Sequence, residues 1–345
     1  MKRIIDLRSD TVTTPTQEMR KAMMKAIVGD NVLKEDPTVN ELERIAAEKF
    51  KKEAALFVVS GTMANIVAIS SLCSHGDQAV VHDHSHIYNL EVGAISSICG
   101  VQPRAIPAPN GLFDLNQLEG EIYKSDIQKA PTTLICLENT FDLNQGLAIS
   151  PQQIKAVVQV AQRHGVLIYL DGARIFNASI ALNIDVDELC KDVDALAFCL
   201  SKGLGCPVGS ILLGKADFIS KARRECQRLG GGWRQAGILA AAGIIGINEM
   251  VNRLVEDHTN ARHLANGLFD MGLGIDLDQV QTNIVNISLT PLEFKARDFT
   301  SLLLKNNIKV KEIGSERIRM VTHKDISQSD IRFVLDTIDQ INKER

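Results

Sequence analysis

Residues 134–170 constrain this chain more than any other stretch. Leu134 to Leu137 is an apolar run of strand length. Ser150-Pro151 then opens a helix that reaches His164 with Ile154, Val157, Val158 and Ala161 on one face, Gly165 ends it, and Val166 to Leu170 is a second apolar run. Strand, helix and strand at this spacing form a βαβ unit, which requires a parallel sheet and a right-handed crossover. The chain is therefore expected to be α/β. Open sheets of this kind take ligands at the carboxyl ends of their strands, so the chemistry is sought there.

Two such ends carry reactive groups. The strand closing at Leu170 delivers Asp171-Gly-Ala-Arg174, and after a helix over Val186 to Lys191 a buried strand, Ala195 to Leu200, delivers Ser201-Lys202-Gly203. One crossover fits between Asp171 and Lys202, so the two side chains should end adjacent strands on one edge. A lysine held among Ser201, Gly203 and Gly205 beside apolar walls loses hydration and becomes a usable nucleophile. Upstream, the strand Ala54 to Val59 runs into Ser60-Gly-Thr-Met-Ala-Asn65 at the start of a helix. Free backbone N–H groups and the helix dipole make such a start an anion site.

Residues 1–36 have little periodicity and read as an arm with one short amphipathic helix near Thr16 to Ala26. Asp36-Pro37 starts a helix ending near Phe50, with Val39, Leu42, Ile45 and Ala46 on its apolar face. After the apolar helix Ile238 to Ile247 and a long helix through Asn252 to Met271, the pattern changes. Strands are expected at Ile284 to Leu289, Ile308 to Glu312 and Arg317 to Val321, with a helix at Glu293 to Lys305. A capping box, Ser327-Gln-Ser-Asp330, opens the last helix, Ile331 to Ile341. The expected plan is a large α/β domain over 1–250 and a small α+β domain over 251–345.

Net charge is -4 without a long run of one sign, so neither nucleic acid nor a membrane surface is an implied partner. No stretch has the roughly 18 charge-free apolar residues of a membrane span, and residues 1–10 lack the apolar region of a signal peptide. A cytoplasmic protein is expected. The 7 cysteines contain no Cys-x-x-Cys pair and read as reduced thiols. His82-Asp-His-Ser-His86 would place three histidines on one face if the preceding strand continued. No thiolate or carboxylate sits at ligand spacing, so no metal is assigned there.

Asp6-Leu-Arg-Ser-Asp-Thr-Val-Thr13, Ser60-Gly-Thr-Met-Ala-Asn65, His86-Ile-Tyr-x-x-Glu91, Leu170-Asp-Gly-Ala-Arg-x-x-Asn-Ala178, Cys199-Leu-Ser-Lys-Gly-Leu-Gly-x-Pro-Val-Gly-Ser210 and Gly230-Gly-Gly-x-Arg-Gln-Ala-Gly237, taken in order, resemble the low-specificity L-threonine aldolases. The resemblance implies an aspartate aminotransferase-like fold. Its large domain would hold a mostly parallel seven-stranded sheet flanked by helices, beside a small C-terminal α+β domain. It also implies pyridoxal 5'-phosphate as cofactor, with Lys202 as its covalent anchor and Asp171 facing the pyridine nitrogen. Gly61 and Thr62 would bind the phosphate and Arg234 would add charge from a neighbouring subunit. His86 would stack on the ring. Ser9, Arg174 and Arg319 would bind the substrate carboxylate, with Arg174 also close to the cofactor. The implied reaction is retro-aldol cleavage of a β-hydroxy-α-amino acid to glycine and an aldehyde, in a homodimer or homotetramer with shared active sites.

The departures from that family cluster on the substrate side. Gly-Asp-Asp-Val-Tyr-Gly-Glu-Asp-Pro in the family stands here as Gly29-Asp-Asn-Val-Leu33-Lys-Glu-Asp-Pro37, so Leu33 replaces a pocket tyrosine. Glu138-Asn-Thr-Phe141 has Phe141 where the family places a histidine that contacts the β-hydroxyl. Trp233 replaces a methionine and Cys206 an alanine. His86 or Asp142 is then a candidate for the proton transfer, and Phe141 and Leu33 adapt the pocket to a bulkier apolar β-substituent. The alternatives these departures leave open are a related lyase, racemase or transaldolase acting on such a substrate, and a weakly catalytic cofactor-binding protein.

Overall fold

The structure is a computed structural model that describes residues 3–141 and 145–343. The βαβ unit is present. After β1 (Ile5–Asp6), β2 (Ala54–Val58), β3 (Gln78–His82) and β4 (Gln102–Ile106), strands β5 (Thr132–Glu138) and β6 (Leu167–Asp171) pair in parallel from Leu134↔Leu167 to Glu138↔Asp171. The helix between them, Pro151–His164, has the full capping box of Ser150 with Gln153, and ends at Gly165 in the left-handed region (φ 69°). With β7 (Ala195–Cys199) and β8 (Ser210–Gly214), the large sheet has seven strands in the order β2-β8-β7-β6-β5-β3-β4. Only β8 runs antiparallel, to both its neighbours.

Successive residues of a strand point to opposite faces, and both faces of this sheet are covered. Ile135, Leu137, Ile168, Leu170, Leu196 and Phe198 pack against the helices Pro37–Lys49, Pro151–His164 and Gly237–Glu249. Leu134, Cys136, Tyr169, Ala195 and Ala197 pack against Gly61–Leu72 and Ala216–Arg228. This burial on both faces explains the near-continuous apolar runs of β5, β6 and β7.

The C-terminal domain has its own sheet. β9 (Ile284–Ser288), β10 (Ile308–Lys309), β11 (Lys311–Gly314) and β12 (Arg317–Val321) follow in sequence, and the sheet order is β11-β12-β9. The expected single strand Ile308 to Glu312 is split. β10 leaves the sheet to pair in parallel with β1, through Ile5↔Ile308 and Asp6↔Lys309. Ile5 and Leu7 thereby join the core formed by Leu264, Phe299, Ile318 and Val334. That pairing pins the arm and sets Ser9 and Asp10 at the site described below. The helix expected from Glu293 starts at Ala296, because Glu293 takes a left-handed conformation (φ 52°) after a short 3-10 turn.

The helix Ile175–Leu182, between Asp171 and Val186, was not legible. Ile175, Phe176, Asn177 and Ala178 are all buried, so no polar face marks a helical period. No single helix among the described residues is long and apolar enough to cross a membrane.

Candidate active site

β6 ends at Asp171, whose carbonyl accepts from the Asn139 amide at 2.9 Å. In the turn that follows, Gly172 donates to the Ala197 carbonyl at 2.8 Å. A Cβ on Gly172 would lie 2.8 Å from that oxygen, so the close approach of the two strand ends requires glycine. Asp171 Oδ1 accepts from the Ala173 amide at 3.1 Å and Oδ2 from Asn65 Nδ2 at 2.8 Å.

Asn65 comes from the helix Gly61–Leu72. Ser60 caps its start, accepting from the Met63 amide at 3.1 Å. Ala64 makes the first helical bond, to the Ser60 carbonyl at 3.0 Å, which leaves the Gly61 and Thr62 amides to an external acceptor. Gly61 is pressed onto the end of β7, where an added Cβ would lie 2.9 Å from Cys199 Sγ.

Asn65 Nδ2 donates a second time, to Glu91 Oε1 at 2.6 Å, while its Oδ1 accepts from the Tyr169 hydroxyl at 2.7 Å. Glu91 Oε1 also meets His86 Nδ1 at 2.8 Å, and the His86 amide donates to Glu138 Oε2 at 2.8 Å. Ligand atoms of His86, Glu91 and Asp171 all lie within 4.8 Å of one another. Burial pushes the Glu91 carboxyl above its ordinary range, and the charge of Asp171 adds to this, while His86 and Asn65 oppose it by hydrogen bonding.

Lys202 follows β7 and ends the strand adjacent to that of Asp171. Its carbonyl accepts from the Gly205 amide at 2.8 Å and from Thr13 Oγ1 at 3.1 Å, so the N-terminal arm fixes the lysine turn. Gly205 has φ +72°, and a Cβ on Gly203 would meet Leu254 Cδ2 at 2.8 Å.

The arm also supplies Asp10, which the sequence reading passed over. It grips Arg174 with two bonds, Nε to Oδ2 at 2.8 Å and Nη2 to Oδ1 at 2.6 Å. Burial alone would raise the Asp10 carboxyl. The Arg174 guanidinium outweighs it by charge and hydrogen bonding, with help from Lys202 and His323, and holds the carboxyl at about 2. Ser9 caps the short turn Asp10–Val12, accepting from the Thr11 amide at 3.2 Å. Arg319 on β12 is 2% exposed, and its Nη2 donates to the Arg8 carbonyl at 2.9 Å. Lys311 lies opposite Arg319 across the β11–β12 pair. Burial and then the charges of Arg319 and Arg174 push its ammonium below its usual range. Lys311 thus senses the charges of both Arg319 and Arg174, and these two arginines bond to the residues on either side of Ser9, Arg8 and Asp10.

The structure links Asp171 with His86 through Asn65 and Glu91, puts Lys202 just past the strand next to that of Asp171, presses Gly61 onto the end of β7, and sets Arg319 on Arg8 and Arg174 on Asp10, either side of Ser9. It does not bring Arg234 or Leu33 to them. The Arg234 side chain is 56% exposed and pairs with Asp30 at 2.9 Å, and Leu33 is 64% exposed. Phe141 is 3% exposed and packs inward, its ring 5.0 Å from that of His82, which stacks on Phe113 at 4.1 Å. The three histidines of the 82–86 string do not share a face, because β3 stops at His82, His84 is exposed, and His86 opens a short helix. Asp142 lies outside the described residues. Asn65 and Glu91 stood in signature strings without an assigned role, since their partners are distant in sequence. Lys311 carried no signal.

A family profile described as "Beta-eliminating lyase" matches residues 6–290. The chain is 42% identical over 344 residues to low-specificity L-threonine aldolase 1 of Arabidopsis thaliana, covering 98% of this chain and 96% of that one. It is 40% identical over 332 residues to the low specificity L-threonine aldolase of Escherichia coli K12, covering 96% and 97%. In fold it is similar to threonine aldolase of Leishmania major, with a TM-score of 0.85 at 16% identity over 98% and 99% of the two chains. On this similarity in sequence along nearly its whole length, the chain belongs to the low-specificity L-threonine aldolase family.

Proposed function

We propose that the chain is a pyridoxal 5'-phosphate-dependent carbon–carbon lyase that cleaves L-threonine, L-allo-threonine or another β-hydroxy-α-amino acid to glycine and an aldehyde. The observation that carries this reading is the placing of Lys202 and Asp171 on adjacent strand ends, beside a helix start whose first two amides have no acceptor among the described residues. That donor set fits the cofactor: an amine for its aldehyde, a carboxylate for its ring nitrogen and free N–H groups for its phosphate.

In this reading Lys202 anchors the cofactor, Asp171 faces the pyridine nitrogen, and the Gly61 and Thr62 amides hold the phosphate. When bound, the cofactor supplies an electron sink for the bond broken at Cα. Arg319 and Arg174 bind the substrate carboxylate with Ser9. Arg174 has two nitrogens engaged by Asp10, so it offers Nη1. Fixing the carboxylate sets which bond at Cα is cleaved. His86 would take the β-hydroxyl proton at Nε2 as the Cα–Cβ bond breaks, and Leu33, exposed on this chain, would line the β-substituent pocket from a second copy.

A second copy of the chain completes the site, in a homodimer or a homotetramer. The exposure of Arg234, Leu33, Met24 and Ile27 supports this. The cofactor region is residues 1–250 and the C-terminal domain is 251–345, and the enzyme works in the cytoplasm. The test is a panel of β-hydroxy amino acids with glycine and aldehyde both quantified. Equimolar glycine and aldehyde are expected. Release of pyruvate from serine, or racemised substrate without aldehyde, would instead select a related reaction.

A further inference from the structure

We propose that Glu91 is a positioning residue that holds His86 as the Nδ1–H tautomer with Nε2 free to accept a proton, and that Asn65 ties this carboxylate to Asp171 as one unit. The proposal rests on the reading of His86 as the residue at the cofactor face.

The geometry fixes the proton positions. Asn65 has one orientation compatible with its three partners. Its Nδ2 faces two carboxylate oxygens, Glu91 Oε1 at 2.6 Å and Asp171 Oδ2 at 2.8 Å, and its Oδ1 faces the Tyr169 hydroxyl at 2.7 Å. Turning the amide over would set an oxygen against both carboxylates. Glu91 Oε1 is thus an acceptor, and the short contact from Asn65 is of the charge-assisted kind. The same oxygen lies 2.8 Å from His86 Nδ1, so Nδ1 carries the proton. The hydrogen bond at one ring nitrogen decides the state of the other, and Nε2 is left as the acceptor. It has no hydrogen-bond partner among the described residues, and His86 is only part-buried.

The surroundings keep this arrangement in place. Asn65, Glu91, Asp171 and Tyr169 are all buried. The other titratable groups around Glu91 are Tyr169 and Asp171 from β6, Cys136 from β5 and Cys99. Burial keeps the Tyr169 phenol and both thiols neutral; Asp171 is a like charge beside Glu91 and the group to which Asn65 gives its other hydrogen, and Glu138 engages the His86 amide. A neutral amide between two anions fixes their separation. A shift of Glu91 therefore moves Asp171 and His86 together.

The test uses the full-length, cofactor-loaded protein with 15N-labelled histidine, the His86 signal being identified by its loss in His86→Asn. The wild type should show His86 protonated at Nδ1 and bare at Nε2. Glu91→Ala should give a mixture of tautomers and lower kcat by at least about tenfold, the lower end of the scale for losing the hydrogen-bond partner behind a metal-bound histidine, with KM little changed. Glu91→Gln keeps an accepting oxygen and is nearly isosteric. It should retain the tautomer with an intermediate kcat, and it keeps the proposal open to refutation if Glu91→Ala does not fold. A wild-type His86 protonated at Nε2, or full kcat in Glu91→Ala or Glu91→Gln, would overturn the proposal alone, provided that cofactor binds and His86→Asn is impaired. If the wild type takes up no cofactor, or His86→Asn keeps full kcat, the functional reading and this proposal fall together.

Discussion

Replacing Asp10 by Asn removes one negative charge from a buried pair and keeps nearly the same shape. Asp10 is fully buried and bonded twice to Arg174. Its carboxyl is held at about 2 against an ordinary 3.8. The folded value lies below the unfolded one, so the unfolded chain binds more protons between them. The stabilisation is therefore complete above pH 3.8 and is lost as the pH falls toward 2. The shift corresponds to about 2 kcal/mol at neutral pH, and stranding Arg174 raises the loss in the variant toward about 3–5 kcal/mol. Urea unfolding of wild type and Asp10→Asn from pH 7 down to pH 2.5 measures the difference. Other shifted carboxyls, such as Asp6 and Asp325, cancel in the subtraction. A gap of at least about 2 kcal/mol at pH 7 that narrows below pH 4 is expected. A gap independent of pH would show that Asp10 is not an ionised partner, and the reading of Arg174 as oriented by it would fail.

Gly61→Ala should weaken cofactor binding by about tenfold, because the added Cβ would lie 2.9 Å from Cys199 Sγ; adding Cys199→Ala should restore much of it in a fluorescence titration, and no recovery would place the fault elsewhere. Because Phe141, packed against His82, leaves no imidazole where the family has a histidine that contacts the β-hydroxyl, we expect phenylserine to be cleaved with a higher kcat/KM than threonine. Phe141→His should narrow that ratio, and equal or inverted values in the wild type would dismiss the specificity argument. Gly209→Ala, with φ +106° and a Cβ that would lie 2.4 Å from Phe57, should lower the Tm by several degrees or prevent folding, and an unchanged Tm would show that the turn relaxes freely.

The features legible in the sequence were those with local causes. Ser150, Gly165, Asp36 and Ser327 marked helix ends through side chains or conformations acting within a few residues, and each cap is present. Asp171 and Lys202 were legible because βαβ geometry converts sequence spacing into adjacency. Asp10 escaped because its partner lies 164 residues away, and Asn65 because a buried amide takes its meaning from three distant oxygens. β1 and the split of β10 from β11 escaped for a related reason: a two-residue strand has no period to read, and it exists only because Ile308 stands beside Ile5. The resemblance to a family named the residues of the site. It did not show that Arg174 is already bonded twice, or that Phe141 faces inward.

The identity of the lysine that anchors the cofactor is the most direct test of the functional reading. The purified protein, loaded with pyridoxal 5'-phosphate and reduced with borohydride, is digested and its peptides are mapped by mass spectrometry. The expected result is a single pyridoxyl adduct on Lys202, lost in Lys202→Ala together with the visible absorbance of the bound cofactor and the release of aldehyde. An adduct on another lysine, or full aldehyde release by Lys202→Ala, would contradict it.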